Sequence, residues 1–91
     1  MYFYEIIPYL QRVVNKLSKK DIVLYEQVLN KIDEIINSYN VEHYKNLRYD
    51  LKDKKSVHID HFVLVFKFIK EENKLIFLDF NHHDNIYKKR Y

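Results

Sequence analysis

The sequence lacks cysteine, glycine and tryptophan, and it has a single proline in 91 residues. Without cysteine, the chain cannot form disulfides, use a thiolate nucleophile or bind zinc through sulfur. Without glycine, it cannot build the glycine-rich loops that hold phosphates in P-loop and dinucleotide-binding proteins. We therefore expect no nucleotide cofactor, and we assign no other cofactor. Alanine and threonine are also absent, a bias that we attribute to an AT-rich genome.

Long apolar runs are missing as well. No stretch approaches the length of a membrane span, and Glu5 and Pro8 interrupt the apolar N-terminus in a way that is not typical of a signal peptide. Apolar residues make up 47% of the chain, which is enough for a modest core, and the length fits one domain over residues 1–91. We expect a soluble, cytoplasmic protein with no membrane partner.

Positive charge is concentrated in the second half of the chain. The total is only +3, but residues 1–42 have a net charge of −1 and residues 43–91 a net charge of +4. Four of the five histidines fall from His58 onward. This asymmetry favours a polyanionic partner for the half that contains the imidazoles.

The first half predicts one strand and two helices. The opening segment MYFYEII is aromatic and β-branched, as in a short strand, and Pro8 suits the first turn of a helix. Apolar residues at helical spacing predict one helix over residues 8–17 and a second one up to about Ser38. We expect Ser18 to cap the second helix, with Asp21 as its capping partner. Two helices joined this closely form an antiparallel hairpin.

The second half changes period after a charged loop over residues 40–55. The segments SVHID, FVLVFKFI and LIFLDF predict three strands, and the middle one is apolar on both faces, as in a central strand. The order β-α-α-β-β-β predicts an α+β two-layer sandwich, in which a helix hairpin packs on a small, mainly antiparallel sheet. The chain offers no second layer for the other sheet face, which we expect to stay open.

Imidazole, phenol and positive charge gather at this open face. On SVHID, Val57 and Ile59 share one face and His58 lies on the other. His83 and Tyr87 follow the last strand directly, so they and His61 can converge with His58 at one end of the sheet. Such a set suits phosphodiester transfer, in which one imidazole accepts a proton, a second group protonates the leaving oxygen and cations stabilise the phosphate. We expect nearby lysines and an arginine to surround it: Lys52, Lys54, Lys55, Lys88, Lys89 and Arg90.

Simpler interpretations compete with this one. Isolated histidines and lysine runs are commonly solvated surface residues, and the strand phenylalanines are core residues. His58 and His61, together with His82 and His83 and an aspartate, could instead ligate zinc or nickel. Adjacent histidines on an extended chain point to opposite sides, however, so such a pair rarely supplies two ligands. We assign no metal site.

Two segments of this chain resemble a known family: HYKNLRYDLKDKKSVHIDHFVLVFKF and LIFLDFNHHDNIY. They are similar to the second half of RelE/ParE-superfamily toxins of type II toxin–antitoxin systems, and especially to RelE-like members that end in an HHD-x-IY type of motif. The resemblance implies a metal-independent endoribonuclease that drives a ribose 2′-OH against the adjacent phosphate, typically on mRNA in the ribosome. It also implies a cognate RelB-like antitoxin, and binding to operator DNA only through the toxin–antitoxin complex.

Site residues follow from the resemblance position by position. Lys52 and Lys54 match a basic RNA-binding loop, and Val63 stands where RelE has a strand arginine. The histidine-based YafQ-like branch fits better, with His58 as its strand histidine, His83 as its C-terminal histidine and Tyr87 as its terminal aromatic. His83 would act as general acid or base and His58 as its complement, while Tyr87 stacks on a base. The orienting group would be His61 or Asp60, and the phosphate ligands Lys52, Lys54, Lys55, Lys88 and Arg90.

Two other functions stay open at this point. A degenerate, non-catalytic toxin-fold module would bind the antitoxin and take part in operon regulation, and the missing strand arginine favours it. A topoisomerase-poisoning toxin of the ParE branch would not need the histidine pair.

Overall fold

The computed structural model describes residues 1–48 and 53–89. Its helices and strands follow the order β1 (Phe3–Ile6), α1 (Pro8–Lys20), α2 (Ile22–Ile36), β2 (Lys54–Ile59), β3 (Phe62–Ile69), β4 (Lys74–His82) and α3 (His83–Lys88). Single 3-10 turns lie at Val41–His43 and Lys70–Glu72. The predicted α+β order is confirmed, and a short helix that the sequence did not predict follows the last strand.

Asp21 separates the two long helices. Its backbone N–H donates to the Leu17 carbonyl at 2.9 Å, which ends α1, and its side chain accepts from the Leu24 N–H at 3.1 Å, which caps α2. The predicted cap at Ser18 is wrong, because α1 continues through Lys20 and the Ser18 hydroxyl donates to the Asn15 carbonyl within that helix. The capping aspartate is therefore Asp21 itself.

The sheet has the strand order β1-β4-β3-β2. β1 runs parallel to β4, and the other two pairs are antiparallel, so the sheet is mixed and mainly antiparallel. In the tight β2–β3 hairpin, Ile59 pairs with Phe62, and Phe62 in turn pairs with His82 at the end of β4. This register brings the hairpin turn and the start of α3 to the same end of the sheet.

The main core lies between the helix pair and one face of the sheet. Apolar residues at helical spacing on α1 and α2 pack against alternate residues of the central strands. The largest fully buried side chains of this core include Leu10, Val28, Ile35, Leu64, Phe66, Leu75 and Phe77.

The opposite face of the sheet is partly covered. Val63 and Val65 of β3 are fully buried there beneath Leu47 and Ile86, the latter from α3. The expectation that this face stays open is therefore wrong over β3, because the C-terminal segment folds into an amphipathic turn of helix. Because Leu47 and Ile86 cover this face, β3 is buried on both sides, which explains why it is apolar on both faces.

Candidate active site

α3 (His83–Lys88) positions the C-terminal histidine and tyrosine. His82 caps this helix, because its Nδ1 accepts a hydrogen bond from the Asp84 N–H at 3.2 Å. The backbone N–H of His83 donates to the carbonyl of His61 at 2.9 Å, which ties the start of α3 to the β2–β3 turn. Ile86 is buried against β3 and anchors the helix from beneath.

Three aromatic side chains meet at this end of the sheet. The ring centroids of His58 and His83 are 5.7 Å apart, and those of His83 and Tyr87 are 4.7 Å apart. All three residues are exposed, so they can reach a ligand in solvent. We refer to His58, His83 and Tyr87 as the histidine–tyrosine cluster. The predicted approach of His58 to the C-terminal segment is thus found in the structure.

His61 and Asp60 occupy the β2–β3 turn beside this cluster. Asp60 has a φ of 56°, a left-handed conformation that aspartate tolerates in tight turns. His61 Nε2 lies 3.7 Å from Asp60 Oδ1, and both side chains are largely solvated, at 80% and 69% exposure. The His61 ring faces that of His82, at 6.4 Å between centroids. The four C-terminal-half histidines therefore form two separate pairs, His58 with His83 and His61 with His82.

The separation of these histidines into two pairs concerns the zinc or nickel site that the sequence left open. His82 lies next to Phe62, with ring centroids at 5.7 Å, whereas His83 begins α3 and faces His58. Over residues 1–48 and 53–89, no group of three or more His, Asp or Glu side chains is arranged to hold a metal ion.

No helix within residues 1–48 and 53–89 is long and apolar enough to cross a membrane.

Two lysines contribute positive charge on β2 and β3. Lys54 and Lys67 are opposite each other in the antiparallel pair, and both ammonium groups approach Asp53, at 3.3 Å and 3.9 Å. Burial works to raise the pKa of Asp53, but the hydrogen bond and charge of Lys54, with the charge of Lys67, outweigh it and lower that pKa. By strand alternation, Lys54 lies on the same sheet face as His58.

The other predicted cations are distributed differently. Lys55 is buried, with its ammonium group donating to the Tyr44 carbonyl at 3.2 Å and to Asn46 Oδ1 at 3.1 Å. It lies on the face of Val57 and Ile59, so its assignment to the phosphate-binding set is wrong. Lys88 is exposed at the end of α3. The predicted phosphate ligands Lys52 and Arg90 lie outside the described residues.

Lys89 is committed to an ion pair rather than to the rim of the site. Its ammonium group contacts the buried carboxylate of Asp79 and lies 5.5 Å from the centre of the Tyr9 ring. Burial alone would lower the pKa of Lys89, but the hydrogen bond and charge of Asp79, together with those of Tyr9, outweigh it, so that its pKa is raised. The pair fixes the chain that follows α3 against β4.

Arg48 is a residue of this region that the sequence did not single out. Its guanidinium donates to the carbonyl of Tyr87 at 2.9 Å and also to the carbonyl of Lys89. Both carbonyls lie at the C-terminal end of α3, where the last carbonyls of a helix have no partner within the helix and a cation is favoured. The sequence did offer one indication of the Lys89–Asp79 pair. Asp79 is the acidic residue in the apolar segment LIFLDF, and a buried aspartate requires a cationic partner.

The arrangement can support acid–base chemistry on a phosphodiester. Two exposed imidazoles lie side by side, a phenol extends the surface, and Lys54 provides charge on the same face. Two helices on a four-stranded mixed sheet, with this cluster beside a C-terminal helix, define a small α+β protein with a histidine-lined surface site.

Similarity to known proteins shows to which family the chain belongs. The chain is 50% identical over 91 residues to "Putative toxin RelE4" of Methanocaldococcus jannaschii, covering 99% of this chain and 95% of the relative. It is 43% identical over 88 residues to an uncharacterized protein of Methanosarcina mazei, covering 96% of this chain and all of that protein. No family model matches the chain. The identity to the first relative over nearly the whole length shows that the chain belongs to the RelE family of toxins.

Solved structures share the fold. A double-arginine variant of E. coli toxin RelE in the free state superposes with a TM-score of 0.73 at 19% identity, covering 96% of this chain and 90% of that one. E. coli RelE in the intact RelBE toxin–antitoxin complex gives a TM-score of 0.72, also at 19% identity, over 90% and 96% of the two chains. The conserved hypothetical protein HP0892 from Helicobacter pylori gives 0.58 at 25% identity, over 94% and 99%.

Proposed function

We propose that this RelE-family toxin is an endoribonuclease that cleaves mRNA without a metal ion. The observation that carries the proposal is the His58–His83 pair, with ring centroids 5.7 Å apart on an exposed surface. The chain belongs to the RelE family of toxins, and two adjacent imidazoles are suited to the RNA cleavage that the family resemblance implies. The family that matches is RelE, which favours this activity over the topoisomerase poisoning of the ParE branch.

The proposed reaction is an internal transfer on the RNA backbone. One imidazole accepts the proton of a ribose 2′-OH, whose oxygen then attacks the adjacent phosphorus and forms a new P–O bond. The bond from phosphorus to the 5′-oxygen breaks, and the second imidazole donates a proton to that leaving oxygen. The products are a 2′,3′-cyclic phosphate and a free 5′-hydroxyl. His83 and His58 fill these two roles, and Asp84, 3.4 Å from His83 Nδ1, can orient the His83 ring.

The groups around the pair supply binding. Tyr87 lies 4.7 Å from the His83 ring and offers an exposed aromatic face on which a base can stack. Lys54 provides charge for phosphate, and we propose Lys88, Lys52 and Arg90 as further phosphate ligands. His61 and Asp60, in the turn that accepts the His83 N–H, orient the start of α3.

The proposal includes a RelB-like antitoxin as partner. E. coli RelE has been solved in complex with RelB and, as a variant, with a RelB peptide, and both toxin chains share this fold. Large apolar residues on the surface offer contacts for such a partner. The most exposed of these are Met1, Phe3, Tyr4, Tyr9, Ile22, Val23 and Tyr39. Operator DNA would be bound only through this complex, and the ribosome would present the mRNA.

The test compares histidine variants in RNA cleavage. His83→Ala and His58→Ala should each reduce cleavage of a translated mRNA by about 100-fold, the usual contribution of acid–base catalysis. His43→Ala, which changes an exposed histidine outside the cluster whose ring contacts Tyr44, is the matched control. Both active-site variants should keep their circular dichroism spectrum and melting temperature, because their side chains are exposed. Unchanged cleavage by His83→Ala would contradict the proposal.

Two further measurements define the chemistry. Mapping the product ends should find a 2′,3′-cyclic phosphate upstream of the cut and a 5′-hydroxyl downstream of it. Comparing ribosome-bound with free RNA decides whether the ribosome is required, and excess EDTA should leave any cleavage of free RNA intact. Dependence on an added divalent ion would contradict the metal-independent mechanism.

A second candidate function is supported by Val63. This residue, where the family resemblance places a strand arginine, is fully buried beneath Leu47 and Ile86 and contributes no charge to the site. A toxin-fold module without catalysis would bind the antitoxin and regulate its operon. It predicts that expression of the wild-type chain in a bacterial host causes no growth arrest, whereas the enzyme predicts arrest that the antitoxin relieves.

A further inference from the structure

Two amide side chains on α2 stand apart from the other amides of the protein. In the described part of the chain, Gln27 and Asn30 form no hydrogen bond through their side chains, whereas every other asparagine and glutamine there bonds to a neighbouring group. Both residues are exposed, and they are three positions apart on one helical face. Their donors and acceptors are thus available to a ligand.

Both amides line the same groove, which reaches the histidine–tyrosine cluster. The groove has a volume of about 270 Å³ and runs between α2 and the edge strand β2. We refer to it as the amide groove; its lining residues are Gln27, Asn30, Lys31, Glu34, His58 and Ile59. Because β2 is the outermost strand of the sheet formed by the described residues, the groove adjoins the site at this edge, and His58 belongs to both.

The acidic residue in the groove is already neutralised. Glu34 accepts from Lys31 at 3.0 Å and from the Tyr44 hydroxyl at 3.4 Å. Burial and the nearby charge of Glu34 raise the pKa of Tyr44, so this phenol stays protonated and continues to donate. Among the residues that line the groove, a polyanion therefore meets an ion pair and neutral amides, and the one carboxylate there is already paired.

We infer that the amide groove is a base-binding subsite, in which Gln27 and Asn30 hydrogen bond to the edge of a nucleobase next to the bond that His58 and His83 cleave. The inference rests on the proposed function for its substrate class, single-stranded RNA. Asparagine and glutamine can donate and accept at once, which is the pattern that the edges of unpaired bases require. The volume fits one base, and Ile59 supplies an apolar floor.

If the amide groove binds a base, the side chains that distinguish one RNA base from another lie on α2. Tyr87 offers a stacking face that every base shares, whereas hydrogen bonds to a base edge distinguish one base from another. A preference for one nucleotide beside the cleaved bond should therefore depend on Gln27 and Asn30, and very little on Tyr87.

Binding of a non-cleavable RNA tests the subsite independently of catalysis. Short 2′-O-methyl oligonucleotides, identical except for one base, should bind the full-length wild type with at least about tenfold discrimination among the four bases. The double variant Gln27→Ala, Asn30→Ala should lose this discrimination. The control is Gln11→Ala, Asn15→Ala, which removes an exposed amide pair on α1 that is bonded to itself at 2.9 Å. Alanine favours helix in both variants, so the fold should persist.

The outcomes separate the subsite from the nuclease. Discrimination that is lost in the α2 variant and kept in the α1 variant supports the inference, even if no RNA is ever cut. Equal binding of all four bases by the wild type, or an unchanged preference in the α2 variant, overturns it. The proposed nuclease function is tested by a different experiment, and it fails if the wild-type protein does not cleave unmodified RNA.

Discussion

The guanidinium of Arg48 donates a 2.9 Å hydrogen bond to the carbonyl oxygen of Tyr87. This contact joins the segment before β2 to the end of α3, and Leu47 packs beside it against Ile86. The helix that holds His83 and Tyr87 is therefore fixed at both ends, by Arg48 at its C-terminus and by the His61 carbonyl at its N-terminus.

Arg48→Ala should loosen α3 and weaken catalysis. The lost bonds should lower the free energy of unfolding by about 1–3 kcal/mol, since a charged donor is removed from two carbonyls. Misplacing His83 should reduce kcat by about 10-fold to 100-fold. Chemical denaturation and the NMR contact between the His58 and His83 rings measure these effects. Arg12→Ala, an exposed position on α1, is the control, and an unchanged ring contact in Arg48→Ala would contradict the positioning role.

Tyr87 variants should distinguish stacking from proton donation. If the ring stacks on a base, Tyr87→Phe keeps most of the activity, because the aromatic face is unchanged. Tyr87→Ala should then raise KM by about 10-fold, in line with the 1–3 kcal/mol that one stacked base contributes. Steady-state kinetics on a short RNA measure both values. A large fall in kcat for Tyr87→Phe would assign the hydroxyl a role in proton transfer.

Lys54 and Lys55 should behave differently although they are neighbours. Lys54→Met should weaken RNA binding and reduce the slope of log Kd against log salt by about one unit, because one phosphate contact is lost. Lys55→Met should leave that slope unchanged and lower stability instead, since the buried ammonium bonds to Tyr44 and Asn46. Salt titrations of RNA binding, together with denaturation curves, compare the two. A reduced slope in Lys55→Met would show that its ammonium reaches RNA.

The Lys89–Asp79 pair should make stability depend on alkaline pH. The pKa of Lys89 is raised above 10.5 in the folded protein, so its contribution is fully present below that pH and is lost as the pH rises through the folded-state pKa. Lys89→Met should cost about 1–3 kcal/mol at about pH 8 and flatten the decline at a pH above 10.5. Denaturation at both pH values measures this. An equally steep alkaline decline in the variant would show that another group causes it.

The sequence predicted most of the architecture because the periods of its apolar residues are clear. Spacing near 3.6 gave both long helices, and the change of period after the charged loop gave the last three strands. It also predicted that His58 approaches His83, because both were expected at the same end of one sheet. Lys55, by contrast, was assigned to the charged loop and to the phosphate ligands, because the charged segment hid the start of β2 at Lys54.

Other features depend on contacts between distant segments. The sequence indicated neither that the tail forms a helix nor that Ile86 covers Val63, because six residues show too little periodicity to predict a helix. The role of Arg48 was hidden for a related reason. Its partners are backbone carbonyls from another part of the chain, which leave no pattern in the sequence. The aspartate in LIFLDF indicated that Asp79 needs a cation, but not that Lys89 supplies one.

The sequence by itself determined the order of the elements, the buried faces of the long helices and strands, and the types of side chain available for chemistry. These are local properties, set by backbone propensity and by the repeat of apolar residues. Only the tertiary structure decided which imidazole faces which, why Lys55 points inward, and that the free amides of α2 open toward His58. Such pairings depend on strand register and on packing between distant segments, which local patterns do not encode.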